Sequence, residues 1–258
     1  MANPVVQQAG PTKFKFSAGA ITVSLPSPAP QAGDLAILFG AMRTLGQLWV
    51  APGAPWVQLF SQGATSMNLT AWGIICTGSD TNPTIDCNAS TAANAQIITF
   101  RPPPGYQWLA LASVLDDLTA YTTLTANDLT FQAGAITPTN AAASGNPFVT
   151  TRFLARNTDG SASAISVSTS TGFSNTAADT NNCWGDNTGN LIHSIESRVD
   201  QSSANQPGGT VTITWSPNPA VSDAHDSVAF TLKTTPSSAP QPIPFSRTQF
   251  FIADTIVM

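Results

Sequence analysis

Asp223, His225 and Asp226, in the run SDAHD, are the nearest thing in the chain to a catalytic cluster. A carboxylate beside an imidazole orients the ring and favours its charged form. Alternate residues of an extended chain share a face, so Asp223 and His225 could act together, but no nucleophile accompanies them. Solvated loop or strand-edge residues are the expected reading. Asp116 and Asp117 form a second acidic pair. Two carboxyls cleave glycosidic bonds only when held about 5–10 Å apart across a cleft. Adjacent carboxylates after the apolar run Trp108–Leu115 instead mark its exit into solvent. Asp179, Asn181, Asn182, Asp186 and Asn187 offer hard oxygen ligands on a Gly-containing loop, as calcium sites do. Their spacing is not that of an EF-hand and no glutamate closes the loop, so a polar loop is expected. Glu196 is the single glutamate of the chain. No nucleophile elbow, phosphate-binding loop or dinucleotide fingerprint occurs. A protein that is not an enzyme, and that has no metal or cofactor, is expected.

Aromatic side chains offer a different chemistry. Trp49, Trp56, Tyr106, Trp108, Trp184 and Trp215 could stack on sugar rings. Alternation places Trp215 and Trp108 on core faces. Trp49 and Trp184 fall in loops, which makes them the stronger glycan-stacking candidates. Cys76 and Cys87 bracket TGSDTNPTID, which reads as a hairpin turn. A bridge closing so short a loop would contribute roughly 2–3 kcal/mol in the chain-entropy model. Folding in a reducing cytoplasm favours two free, partly buried thiols instead. Cys183 is left over, and the spacings match no zinc pattern.

The elements that must position these residues are strands. Charged residues make up 9% of the 258-residue chain, against roughly 25% in typical soluble domains. With 20 Pro and 18 Gly, long helices have few places to fit, and the composition reads as all-β. The formal net charge is −5 and the basic residues are dispersed. Tracking a nucleic-acid backbone needs clustered positive charge, so nucleic acid is not an expected partner. No apolar run approaches the ~20 residues that span a bilayer, so no membrane insertion is expected. The N-terminus lacks the basic and apolar regions of a signal peptide, which points to synthesis and folding in a cytoplasm.

Along the chain, residues 1–12 read as a loose arm and 13–235 as a β-sandwich domain. Gly33–Met42, GDLAILFGAM, opens with a turn signal and is apolar on both faces, as a central strand covered twice would be. Leu35, Ile37, Phe39 and Ala41 form one face; Ala36, Leu38, Gly40 and Met42 form the other. Leu69–Cys76, Ile97–Phe100 and Trp108–Leu115 are further strands. The order then recurs, giving two similar halves at about 13–120 and 121–235. Phe148–Leu154 corresponds to the opening strand, Leu191–Val199 to Leu69–Cys76, Thr210–Trp215 to Ile97–Phe100, and Ser227–Leu232 to Trp108–Leu115. The halves are either two small sandwiches in series or two sheets of a larger one; one domain is favoured. Residues 236–258 are a Pro-rich linker and an apolar C-terminal arm. In that arm Phe245, Phe250, Phe251, Ile252, Ile256 and Val257 are costly to leave in water, so the arm folds back on its own sheet or adds a strand to a neighbour.

The motifs GDLAILF, PWVQLF, LTAWGII, the GSDTNPT turn and WLALASV, in this order, resemble the β-sandwich modules of tailed-bacteriophage structural and tail-associated proteins. The likeness covers roughly residues 20–235. Pro55–Trp56 departs from it by lacking an intervening Gly, Trp72 stands where Tyr is common, and ASVLDD replaces a Tyr-Arg-Gly. The resemblance implies a jelly-roll-like or lectin-like sandwich in a virion. A capsid decoration (cement) or tail accessory protein, contacting other virion proteins and copies of itself, is the first expectation. A carbohydrate-binding adhesin, recognising a cell-surface glycan through loop aromatics, is the second.

Overall fold

The computed structural model describes residues 5–15, 17–42, 49–63, 67–87, 93–126, 130–133, 135–157, 166–167, 174–175, 191–198, 209–214 and 222–238. Among these the strands fall into two runs of nine. The first run is β1 (Val5–Ala9), β2 (Lys13–Lys15), β3 (Gly19–Thr22), β4 (Leu35–Met42), β5 (Trp49–Val50), β6 (Val57–Gly63), β7 (Asn68–Ile75), β8 (Thr84–Cys87) and β9 (Ala93–Arg101). They form a larger sheet, β1-β9-β4-β7-β6 with β2 also on β9, and a smaller one, β3-β8-β5.

The second run is β10 (Tyr106–Trp108), the short helix α1 (Leu111–Val114), β11 (Leu115–Ala126), β12 (Thr130–Ala133), the short helix α2 (Thr139–Ala143), β13 (Phe148–Asn157), β14 (Ser166–Val167), β15 (Ser174–Asn175), β16 (Leu191–Arg198), β17 (Gly209–Thr214) and β18 (Ser222–Pro236). Its larger sheet is β10-β18-β13-β16-β15 with β11 also on β18, and its smaller sheet is β12-β17-β14. Every ladder is antiparallel. Each strand of the first run has the partners of the strand nine places later. The protein is an all-β sandwich with an internally repeated strand plan.

The repeat confirms the pairing of Gly33–Met42 with Phe148–Leu154 and of Leu69–Cys76 with Leu191–Val199, and corrects four other expectations. Residues 1–12 are not simply a loose arm, because β1 pairs with β9. The second half begins at Tyr106 rather than Tyr121, because β10 and β11 both pair with β18. Trp108–Leu115 is not one strand: its apolar run ends β10, turns through α1 and enters β11. An apolar run alone does not separate a strand from a buried turn. Finally, the counterpart of the Thr210–Trp215 region is β8, and that of Ser227–Leu232 is β9.

All eight residues of β4 are buried. Its Leu35, Ile37, Phe39 and Ala41 face the second half, sharing a core with Phe60, Leu69, Ile98 and Phe100 of their own sheet and with Val149, Phe153, Val228, Phe230 and Leu232 opposite. Phe39 lies 5.0 Å from Phe153 and 6.3 Å from Phe230 between ring centroids, and Phe60 lies 5.3 Å from Phe230. Ala36, Leu38 and Met42 point the other way. They pack with Ile21, Val23, Trp49, Trp72, Ile85 and Cys87 under the smaller sheet of the first half. The two larger sheets are thus back to back across one shared core. Gly40 lets this happen: a Cβ there would sit 3.0 Å from the Trp49 indole.

The start of β4 is fixed by charge. Gly33, at φ +87°, makes the turn that a side chain would resist. Asp34, 1% exposed, takes a bidentate pair from Arg101 at the end of β9, Nε to Oδ1 at 2.8 Å and Nη2 to Oδ2 at 2.9 Å. The Gln31 N–H adds a third bond to Oδ2. Asp34→Ala should strand the guanidinium and the Gln31 N–H and lower stability by roughly 3 kcal/mol. Urea unfolding checks this; a loss within experimental error would remove the clamp from the account.

Candidate functional site

A cleft of about 420 Å³ opens between loop 51–56 and loop 77–84. The first loop joins β5 to β6, and the second carries the chain from β7 in the larger sheet to β8 in the smaller one. TGSDTNPT is therefore a crossover between sheets rather than a hairpin turn. Its lining includes Trp56, Pro55, Asp80, Asn82 and Thr84. Trp56 is half-buried and packs partly on the core beneath the smaller sheet; its backbone N–H donates to the Gly53 carbonyl at 3.3 Å. Asp80 receives the Thr77 and Gly78 N–H groups on Oδ2 at 2.9 and 3.2 Å and the Thr77 hydroxyl on Oδ1 at 3.0 Å. Asn82 Oδ1 accepts the Leu25 N–H at 2.8 Å. Asp80 and Asn82 are thus held by backbone donors before any ligand arrives. With one carboxylate in its lining, the arrangement can recognise a ligand; it lacks the second group that acid–base cleavage needs.

The sequence reading named Trp56 among the aromatics but preferred Trp49 and Trp184. Trp49 is not in a loop: it lies in β5, 7% exposed, edge-on to Trp72 at 6.3 Å and against Gly40. Its ring is core and offers no face to a sugar. Trp184 lies outside the described residues, as do Trp215, the Asp179–Asn187 loop, Cys183 and the C-terminal Phe245, Phe250, Phe251, Ile252, Ile256 and Val257. Asp223, His225 and Asp226 fall on β18, in register with Thr125, Thr123 and Thr122 of β11. Among the described residues no group of three His, Cys, Asp or Glu is placed to hold a metal ion.

Asp116 and Asp117 do not exit into free solvent; they fasten the second half. Asp117, at φ +50°, accepts the Asn140 and Ala141 N–H groups of the first turn of α2 at 3.1 and 3.2 Å and the Thr231 hydroxyl at 3.0 Å. Asp116 Oδ2 is bridged by Lys233, and its Oδ1 accepts the Asp117 N–H at 2.9 Å and the Asn140 amide at 3.3 Å. Partial burial pushes the Asp116 pKa up, but the Lys233 ammonium and these donors outweigh it and hold the carboxyl below its ordinary value. A carboxylate lowered in the folded state stabilises above its unfolded pKa, near 4, and that stabilisation fades as pH falls through the lower folded value. Asp116→Asn should therefore cost on the order of 1 kcal/mol at pH 7, with the gap to wild type closing below pH ~4. Thermal melts across pH 2.5–8 (a range set by about two units either side of the carboxylate titration) test this; a gap independent of pH would reject it.

Cys76 and Cys87 are buried free thiols. Burial, then the charges of Asp80 and Asp34, push Cys76 up to about 12, and burial also raises Cys87. In a Cys183→Ser background, native protein should leave both unreacted with Ellman's reagent at pH 8, and denaturant should release both. Prompt reaction of the native thiols would contradict their burial.

No family model, curated protein or solved structure matches the chain. No helix among the described residues is long and apolar enough to cross a membrane. What the fold defines is the class, an all-β sandwich of antiparallel sheets with a repeated plan.

Proposed function

We propose that the protein is a non-enzymatic structural component of a bacteriophage particle, a capsid decoration or tail accessory protein that acts through contacts with neighbouring virion proteins. One observation carries the reading. Counting β1 and β2 as one interrupted strand, the larger sheet sets the first strand beside the last, and the smaller sheet sets the second beside the next to last. The second run repeats this nesting. This nesting supports a jelly-roll-like reading, an architecture used in viral capsid and lectin domains, although β6 stays beside β7. The sequence likeness to phage sandwich modules supports the same reading. So does the use of described charges: Asp34, Arg101, Asp116, Asp117 and Lys233 all hold the fold together. Attachment then falls to sheet edges, loops and the apolar C-terminal segment containing Phe250, Phe251 and Ile252, which can add a strand to a neighbour.

Deleting residues 239–258, beyond the last described strand, should leave the melting temperature of the sandwich unchanged and abolish attachment to the particle. Immunogold electron microscopy of purified particles reads the outcome. Wild-type occupancy by the truncated protein rejects the role of the segment, and absence of the full-length protein from every particle rejects the virion assignment.

A further inference from the structure

We propose that the cleft between loop 51–56 and loop 77–84 binds a neutral saccharide. Three features of its lining lead there, none of which depends on placement in a virion. Trp56 is half-buried, so part of its indole is anchored on the core while the remainder borders the cleft. A rigid aromatic surface of this kind packs against the C–H face of a pyranose ring at small entropic cost.

Hydrogen-bonding capacity beside that surface is specific. Asn82 spends its carbonyl oxygen on the Leu25 N–H, which fixes the amide and leaves its NH₂ group to donate. Asp80 uses its carboxylate for three bonds within its own loop, out of about four lone-pair positions, so it remains an acceptor held in place. An amide donor and a carboxylate acceptor two residues apart on one loop match neighbouring hydroxyls of a sugar, one accepting and one donating. Thr81 and Thr84 add hydroxyls to the same rim.

Charge and size narrow the class. Asp80 is the one charged residue in the lining, so sialylated, sulfated and phosphorylated glycans meet repulsion with no compensating cation. The volume, about 420 Å³, is within the roughly 300–1,000 Å³ of small-molecule sites. Solvent-exposed walls let a longer chain run out of the cleft. Pro52, Pro55 and Pro83 border it, limiting the backbone freedom that binding would otherwise have to remove.

The test is a glycan array carrying neutral, sialylated and sulfated oligosaccharides, followed by titration of the bound neutral probe by saturation-transfer NMR. Wild type should bind neutral glycans, and Trp56→Ala should weaken binding roughly tenfold or more. Asn82→Asp keeps the acceptor for the Leu25 N–H while removing the donor. It should hold the melting temperature and lose binding by a similar factor, which keeps the proposal falsifiable if Trp56→Ala fails to fold. Binding to no neutral glycan, preference for anionic glycans or for amines, or wild-type affinity in Asn82→Asp would each overturn it. The truncation at residue 239 should bind as wild type does, so loss of particle attachment and loss of glycan binding are separable results.

Discussion

A strand with no exposed residue has to be covered twice, and β4 is such a strand. Its two apolar faces set the layering of the molecule. One face demands the smaller sheet of its own half, and the other demands the larger sheet of the second half. An antiparallel strand ordinarily keeps one face wet; here β4 has none. The phenylalanines that meet across the shared core, Phe39, Phe60, Phe153 and Phe230, bury large rings at tilted angles that suit their quadrupoles. Because this core belongs to both halves, neither sandwich would be fully covered without its partner.

A charged pair fastens each half. Asp34 with Arg101 ties the start of β4 to the end of β9. Asp116 with Lys233 ties the start of β11 to β18, while Asp117 secures α2 beside it. In a chain with so few charges, Asp34, Arg101, Asp116, Asp117 and Lys233 are spent on fastening strand ends and turns. Most polar side chains are Ser, Thr, Asn and Gln. The cleft follows from the same economy: Asp80 and Asn82 shape a crossover loop first and line a cavity second.

Much of this was legible in the residues. GDLAILFGAM announced both the turn and the double burial, and its alternation assigned each side chain to the face it occupies. The repeat was legible too, though its boundaries were not. β8 is short and modest in pattern, whereas Thr210–Trp215 alternates strongly, so pattern strength matched it to the wrong partner; only ladder register reveals that β8 and β17 correspond. VVQQA carries too few residues to signal a strand, and β1 exists because β9 offers it an edge. Trp49 reads as loop because Pro52, Gly53 and Pro55 follow it closely, while its burial depends on Gly40, nine residues earlier and on a different sheet. The cleft was not legible at all. Its two loops are separated along the chain by β6 and β7 and converge because the chain crosses from one sheet to the other.

The nested order has a consequence for how the chain reaches this state. In each half the last strand enters between the first and the fourth, so the larger sheet has a gap at its middle until its final residues are available. Contacts such as those of β1 with β9 or β11 with β18 span nearly the whole unit, and long-range pairing of this kind is slow. On a ribosome, the first sandwich gains its closing strand by Arg101, before any of the second has emerged. Its Leu35, Ile37 and Phe39 face then stays wet until β13 and β18 follow. For that interval the nascent chain carries a finished sheet with an apolar back, a surface that chaperones or another nascent copy would find first.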